Sequence, residues 1–172
     1  RLRPFPKSLE RSGPSQKLRS LSRRSITVTG ETARTLQVFA CAAIAANAAV
    51  TGNAITDLRG IPLYDQDVQD AGWPPAVMAL RERILRADAL LIASPEYNFS
   101  ISGVLKNTID WLSRTSPQPF KDKPVAIVSA TTGPVGGARH QYELRKVLGC
   151  LEALVLHKPE VFIGMSAAKF DA

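Results

Sequence analysis

Two short runs of consecutive apolar residues constrain the fold of this chain more than any other feature of its sequence. Ala89–Ala93 (ALLIA) and residues 125–128 (VAIV) lack the apolar–polar alternation of a half-exposed strand. Uninterrupted runs of this length are typical of parallel strands that helices cover on both faces. They therefore predict two strands of a buried parallel sheet.

Segments with helical character alternate with the predicted strands. Further strands are predicted at residues 50–58 and at Val161–Ile163, and helices at about residues 32–49, after Pro74 and Pro75, at Gly103–Ser113 and at about residues 137–154. Within the third of these helices, Leu105, Ile109 and Leu112 share one face at helical spacing and are predicted to lie in the core. The alternation predicts βαβ units and hence an α/β domain with a central parallel sheet.

The basic character of the chain belongs to its N-terminal segment. The net charge is +7, and residues 1–24 carry eight basic residues against one acidic residue, whereas the charges balance from Ser25 onward. This segment is also rich in serine and proline, so we predict a disordered basic arm over residues 1–24 and one folded domain over residues 25–172. Because the folded part is neutral, no nucleic-acid partner is expected. A cytoplasmic location is expected, although the arm also resembles an organelle transit peptide.

Cysteine, histidine and hydropathy patterns exclude several further classes. Cys41 and Cys150 lack metal-binding spacing and are predicted to be small buried thiols, and His140 and His157 show no paired ligand spacing. We therefore expect no metal. No apolar run approaches the ~18 residues of a membrane span, so no membrane partner is expected.

The loops at the carboxyl ends of the strands are the candidate ligand sites, because open parallel sheets bind ligands there. Residues 94–103 (SPEYNFSISG) combine turn-forming residues with two aromatic side chains, Tyr97 and Phe99. Such a loop can hold a flat heteroaromatic ligand by stacking and by backbone hydrogen bonds. The alternative is an ordinary loop whose aromatic side chains fill the core.

Two further loops have compositions suited to polar ligands. Residues 129–139 (SATTGPVGGAR) contain three glycines, which permit close backbone approach, but lack the lysine of nucleoside-triphosphate loops. Residues 20–27 (SLSRRSIT) combine hydroxyls and arginines before a predicted helix, which suits a phosphate. A plain glycine-rich helix start and a solvated tail are the respective alternatives.

The segment SPEYNFSISGVLKNTIDWLSR, residues 94–114, closely resembles the NAD(P)H-dependent FMN reductase family, a flavodoxin-like group that includes quinone, chromate and azo-dye reductases. The resemblance extends from about residue 57 to residue 171, through IPLYDQD (61–67), TTGPVGGARHQYELRKVL (131–148) and KPEVFIGM (158–165). It implies a flavodoxin-like three-layer sandwich around a central parallel sheet.

The resemblance also implies an activity. In this family a hydride passes from NADPH or NADH to bound FMN and then to a small-molecule acceptor, such as a quinone or a flavin. No side chain need act as acid or base, so no catalytic residue is assigned. The alternative is a flavodoxin-like electron-transfer or FMN-binding protein without its own NAD(P)H reaction, and a chain that binds no cofactor is a third hypothesis.

The cofactor-binding residues implied by the resemblance fall in three loops. The first lies along the isoalloxazine ring, the second at the pyrimidine edge of the ring, and the third holds the phosphate. Arg139 and Gln141 are further candidate contacts of the flavin or the nicotinamide. In order, the three loops contribute Pro95, Glu96, Tyr97 and Asn98; Thr131, Thr132 and Gly133; and Ser20, Ser22, Ser25 and Thr27.

The chain departs from the family pattern at both ends. Arg19 stands where the family has the glycine of its phosphate loop, and the residues before it form no apolar strand. We therefore expect the first strand to be missing, or residues 29–32 (TGET) to form the phosphate turn instead. The chain stops soon after the last strand, so we also expect the closing helix to be missing. Finally, Trp111 is predicted to anchor a homodimer or homotetramer.

Overall fold

The computed structural model describes residues 25–29 and 54–169 of the chain. In this part the elements follow in the order β1 (Ser25–Thr29), β2 (Ala54–Asp57), α1 (Gln66–Ala71), α2 (Pro75–Arg86), β3 (Ala89–Ala93), β4 (Glu96–Tyr97), β5 (Ser100–Ile101), α3 (Gly103–Ser113), β6 (Pro124–Ala130), α4 (Ala138–Cys150), β7 (Leu154–Val155) and β8 (Val161–Ile163), with a short 3-10 turn at Ser166–Ala168. The basic arm, the predicted helix at residues 32–49 and Cys41 lie outside the described residues.

One parallel sheet organises the described residues. Its strand order is β2-β1-β3-β6-β7, and β8 also pairs with β6. β7 pairs with the start of β6 and β8 pairs with its end, so these two short strands follow one another along the same side of β6. This order is that of the flavodoxin-like doubly wound fold, so the predicted fold class is confirmed.

Strand β1 corrects the expectation that the first strand is missing. Ser25–Thr29 pairs in parallel with β3 on one side and with β2 on the other. The segment SITVT contains Ile, Val and Thr, whose branched side chains suit a strand, but its hydroxyl residues interrupt the apolar run that marks the other strands. Ser25 and Thr27 consequently lie within a strand and not in a loop. Ser20 and Ser22 lie outside the described residues.

The helices cover the sheet with the apolar faces that their spacing predicts. α3 has the predicted bounds, begins at Ser102, whose hydroxyl accepts a hydrogen bond from the backbone N–H of Leu105, and ends at Ser113. α4 is shorter than predicted and ends at Cys150, which is exposed, so the prediction of a buried thiol is wrong for this residue. The main core is formed by residues that include Val77, Leu80, Ile84, Leu90, Ile92, Leu105, Ile109, Trp111, Leu112, Val125, Ile127, Leu144 and Leu148.

Trp111 is a core residue, which overturns its predicted role as a subunit anchor. Its side chain has no exposed surface, and its indole N–H donates a 2.9 Å hydrogen bond to the carbonyl of Pro62. The ring also contacts Tyr64 and Trp73 edge to face, with centroids 4.9 and 6.0 Å away. The indole therefore connects the segment before α1 to helix α3 within a single chain.

Replacement of Trp111 is expected to lower stability and leave assembly unchanged. Trp111→Phe removes a buried hydrogen bond and leaves a cavity, and it should reduce the free energy of unfolding by about 2 kcal/mol in urea titrations. Trp73→Phe, at a half-buried position, is the matched control and should cost less. A changed sedimentation coefficient with unchanged stability would restore the subunit-anchor role.

Candidate functional site

The parallel register brings two of the predicted loops to one edge of the sheet. Ala93, at the end of β3, is paired with Thr29, at the end of β1, and with Val128 of β6. The chain passes from β1 to β2 on one side of β1 and returns to β3 on the other, so the position where open α/β sheets bind ligands lies beyond the ends of β1 and β3. The loops at residues 94–102 and 131–137 flank this position. The residues that follow Thr29 lie outside the described part.

The loop after β3 is a small hairpin, β4–β5, that presents aromatic side chains to solvent. Its two turn residues, Asn98 and Phe99, have φ angles of 50° and 66°, as in the two-residue turns of tight hairpins. A left-handed conformation is easy for asparagine but strained for a bulky phenylalanine, and such strain is concentrated at functional sites. Tyr97 and Phe99 are 48% and 67% exposed. The alternative in which these rings fill the core is therefore wrong.

The loop after β6 is braced by the segment that follows β8. The backbone N–H of Thr131 donates to the carbonyl of Ile163, at 2.9 Å, and the N–H groups of Met165 and Ser166 donate to the carbonyls of Gly133 and Thr131, each at 3.0 Å. Thr132 and Gly133 remain exposed on the other side of the loop. The brace thus leaves a polar, glycine-containing surface facing away from the sheet.

Buried side chains hold the second half of this loop. Ser129 Oγ donates a 2.6 Å hydrogen bond to the carbonyl of Gly136, and Gln141 Nε2 donates to Ser129 Oγ at 2.7 Å and to the carbonyl of Val161 at 2.8 Å. Gln141 has no exposed surface. Its amide group supports the loop from within, so the predicted contact between Gln141 and a ligand is wrong.

Two glycines are required where the loop and the brace meet. Gly136 has a φ of +66°, and a Cβ added there would lie 2.7 Å from the backbone of Phe162 and Ile163. A Cβ at Gly164 would lie 2.1 Å from the carbonyl oxygen of Pro134. Because both contacts are with backbone, no side-chain movement can relieve them.

Gly164→Ala is expected to displace the loop and destabilise the chain. The added methyl group overlaps the Pro134 carbonyl, so the free energy of unfolding should fall by about 1–3 kcal/mol in urea titrations. Gly149→Ala, where a Cβ meets nothing within 4 Å, is the control and should leave stability unchanged or raised. Equal stability of the two variants would contradict the close approach of loop and brace.

One carboxylate connects the hairpin to helix α4. Glu96 Oε2 accepts a 3.1 Å hydrogen bond from the backbone N–H of His140, and Oε1 lies 3.4 Å from Arg139 Nη1. The Arg139 guanidinium in turn lies over the ring of Phe99, 4.1 Å from its centroid. Arg139 is exposed at the start of α4, and its contact with a ligand stays a prediction.

His140 is a buried histidine next to this contact. Its side chain has no exposed surface, and neither ring nitrogen has a hydrogen-bond partner among the described residues. Burial lowers the pKa of His140 below 6.5, and the backbone of Gly137 and the carboxylate of Glu96 oppose that shift without reversing it. The imidazole is therefore neutral in the folded chain at neutral pH.

The buried histidine is expected to make stability depend on pH. Because the folded pKa of His140 lies below its unfolded value, the unfolded chain takes up the proton first, and stability is lost as the pH falls below about 6.5. Urea titrations from about pH 7.5 to 5 should give a shallower pH dependence for His140→Gln. The exposed His157 provides the control, His157→Gln, which should keep the original slope. Identical slopes for all three chains would contradict this prediction.

Two further features are absent from the described residues, a cluster of metal ligands and a membrane-spanning helix. Over residues 25–29 and 54–169, no group of three or more His, Cys, Asp and Glu side chains is placed to hold a metal ion. Among the helices of the same ranges, none has both the length and the apolar surface to cross a bilayer.

The fold and the site together define a class of protein. A sheet of flavodoxin-like order carries, at the point where its winding reverses, an exposed aromatic hairpin beside a braced glycine-containing loop. Residues 25–168 match the family model described as NADPH-dependent FMN reductase, and the chain belongs to this family. The family predicted from residues 94–114 is thereby confirmed.

Individual relatives agree with this assignment. The chain is 54% identical over 118 residues to an NAD(P)H-dependent FMN reductase of Pseudomonas aeruginosa. The aligned region covers 69% of this chain and 64%, just under two thirds, of that protein. It is 46% identical over 151 residues to a quinone reductase of Escherichia coli, covering 87% of this chain and 77% of that protein.

Solved structures show the same fold. The flavoenzyme NAD(P)H:(acceptor) oxidoreductase FerB from Paracoccus denitrificans superposes with a TM-score of 0.69 at 28% identity, over 81% of this chain and 79% of that one. An azoreductase from Bacillus anthracis superposes with a TM-score of 0.58 at 17% identity, over 86% of this chain and 89% of that one, which supports the fold alone.

The sequence did not reveal which residues support the loops of the candidate site from the protein interior. Ser129, Gln141 and Gly164 contact other loops rather than open space, and neighbours that are distant in sequence define their roles. The residues that sequence reasoning did place together are those of the hairpin and of residues 131–133. They share an edge because their strands are neighbours.

Proposed function

We propose that this chain is an FMN-dependent NAD(P)H oxidoreductase that reduces a quinone-like, flavin or other small-molecule acceptor. The observation that carries the proposal is the position of the aromatic hairpin and the glycine-containing loop, side by side at the switch point of a sheet whose chain belongs to the FMN reductase family. The names of the Pseudomonas and E. coli relatives support the electron donor and the acceptor class.

The residues present are chemically suited to a flavin. Flat rings bind to exposed aromatic and backbone surfaces, and the hairpin offers both through Tyr97 and the Pro95–Asn98 backbone. Thr131, Thr132 and Gly133 provide hydroxyl and backbone groups for a polar ring edge, and the space beside Gly133 is open, since a Cβ added there would meet nothing within 4 Å. We assign these residues to the flavin ring, and we assign Glu96 to it as well because it lies in the same hairpin.

We assign the phosphate end to residues 29–32 (TGET). β1 ends at Thr29, at the edge of the sheet where β3 also ends. The sequence that follows Thr29 offers hydroxyls and backbone N–H groups, which are suited to a phosphate. Ser25 and Thr27 lie further back in the strand, which favours residues 29–32 over residues 20–27.

The chemistry divides between the cofactor and the chain. When bound, FMN would supply the electron-transfer chemistry. The protein binds and orients the reactants: the hairpin and the braced loop form the walls of the site, and Arg139 adds positive charge at its rim. No general acid or base is assigned, since the two substrates need only reach the same open face in turn.

Three further expectations stay with this proposal. A homodimer or homotetramer is proposed without Trp111 as its anchor. A cytoplasmic location is proposed on the family resemblance, and the neutral charge balance from Ser25 onward supports the absence of a nucleic-acid partner. Salt-sensitive retention on DNA by residues 25–172 would contradict the last of these.

Reconstitution with FMN tests the function directly. The purified full chain should quench FMN fluorescence at a stoichiometry of one and should oxidise NADPH or NADH with a quinone. Tyr97→Ala removes an aromatic surface and should raise the Kd for FMN about tenfold, whereas Tyr142→Ala, an equally exposed tyrosine on α4, should leave it unchanged. FMN binding without nicotinamide oxidation would favour the electron-transfer alternative, and absence of FMN binding would refute both.

A further inference from the structure

Helix α4 begins without a cap from its own sequence. Its N-cap residue, Gly137, has a φ of +84° and no side chain to accept a hydrogen bond from the first turn. The backbone N–H groups at the start of any helix have no partner within the helix, so they need an acceptor from elsewhere. Here Glu96 Oε2 accepts from the N–H of His140, the third residue of the helix, at 3.1 Å.

We infer that the side chain of Glu96 is a positioning residue, which caps α4 from the hairpin and thereby fixes the distance between the two loops of the ring site. This role differs from the contact between the loop backbone and the cofactor, and it rests on the proposed function. The carboxylate belongs to β4, whereas the helix that it caps continues directly from the loop at residues 131–137. A shift of the hairpin would break the hydrogen bond, so the two loops are held as one unit.

The contact with the helix carries more of this coupling than the ion pair does. The Glu96 side chain is only 11% exposed, whereas that of Arg139 is 48% exposed and 3.4 Å away. Ion pairs of exposed groups contribute little because water and salt screen them. A nearly buried carboxylate at a helix N-terminus makes a charge-assisted bond to the amide and interacts favourably with the helix dipole.

Arg139 provides a second contact between the hairpin and α4. Its backbone belongs to the first turn of α4, and its guanidinium lies over Phe99, the strained residue of the hairpin turn. The hairpin thus contacts α4 through its strand residue and through its turn residue. Two contacts at different points resist rotation as well as translation of the hairpin, which a single contact would not.

The experiment compares three substitutions at one position in the full chain. Glu96→Ala removes the acceptor, Glu96→Asp withdraws the carboxylate by one methylene, and Glu96→Gln keeps an oxygen within reach of the His140 amide. The Kd for FMN is measured by fluorescence quenching, and hydrogen exchange of the His140 amide is followed in the apoprotein by NMR. Glu143→Ala, which removes a glutamate paired with Lys146 elsewhere on α4, is the matched control.

The inference predicts a specific order of effects. Glu96→Ala and Glu96→Asp should raise the Kd for FMN at least about tenfold and speed exchange of the His140 amide, because neither leaves an acceptor within reach of that N–H. Glu96→Gln should stay within about threefold of the original chain, since a neutral acceptor keeps part of that bond. Glu143→Ala should change neither quantity. If Glu96→Ala fails to fold, the Asp and Gln variants carry the same comparison.

Other outcomes overturn the inference. An unchanged Kd in the Ala and Asp variants, even with faster exchange, would show that the cap stabilises the helix without positioning the site. A Gln variant as weak as the Ala variant would show that the hydrogen-bond acceptor is not the property that matters. Absence of FMN binding by the unsubstituted chain would overturn the proposed function and this inference with it, whereas normal binding by that chain and by Glu96→Ala would overturn this inference alone.

Discussion

The parallel pairing of β1, β3 and β6 is the constraint on which the rest of the structure depends. Strands that run in parallel and in register end at the same edge of the sheet, so Thr29, Ala93 and Val128 lie side by side there. The winding reverses between β1 and β3, and ligands bind at such a point in open α/β sheets. The position of the candidate site is therefore a consequence of strand order, and the loops determine its chemistry.

The two described loops are held in different ways. The loop after β6 is fixed by backbone hydrogen bonds to the segment after β8 and by the glycines that let the two backbones approach. The hairpin after β3 is a self-contained turn, and Glu96 and Arg139 connect it to α4. Backbone support behind the candidate site and exposed aromatic rings in front of it are consistent with the flat ligand that we propose.

Much of the fold was predictable because its signals are local. The apolar runs marked β3 and β6, and the spacing of Leu105, Ile109 and Leu112 marked the buried face of α3. β1 was missed because hydroxyl residues alternate with its apolar ones, so the sheet position of Ser25–Thr29 depends on pairing with β2 and β3. Trp111 was misplaced for a related reason: helical spacing says which residues share a face, but not what covers that face.

The sequence by itself determined the class of fold, the family, and the two described loops that carry the candidate site, because apolar runs and the motif at residues 94–114 are properties of neighbouring residues. Only the tertiary structure decided which residues hold those loops in place. Gln141 turned out to be an internal support, and Glu96 a cap for a helix more than forty positions away. Such roles depend on contacts between distant segments, which exist only once strand order and register have brought those segments together.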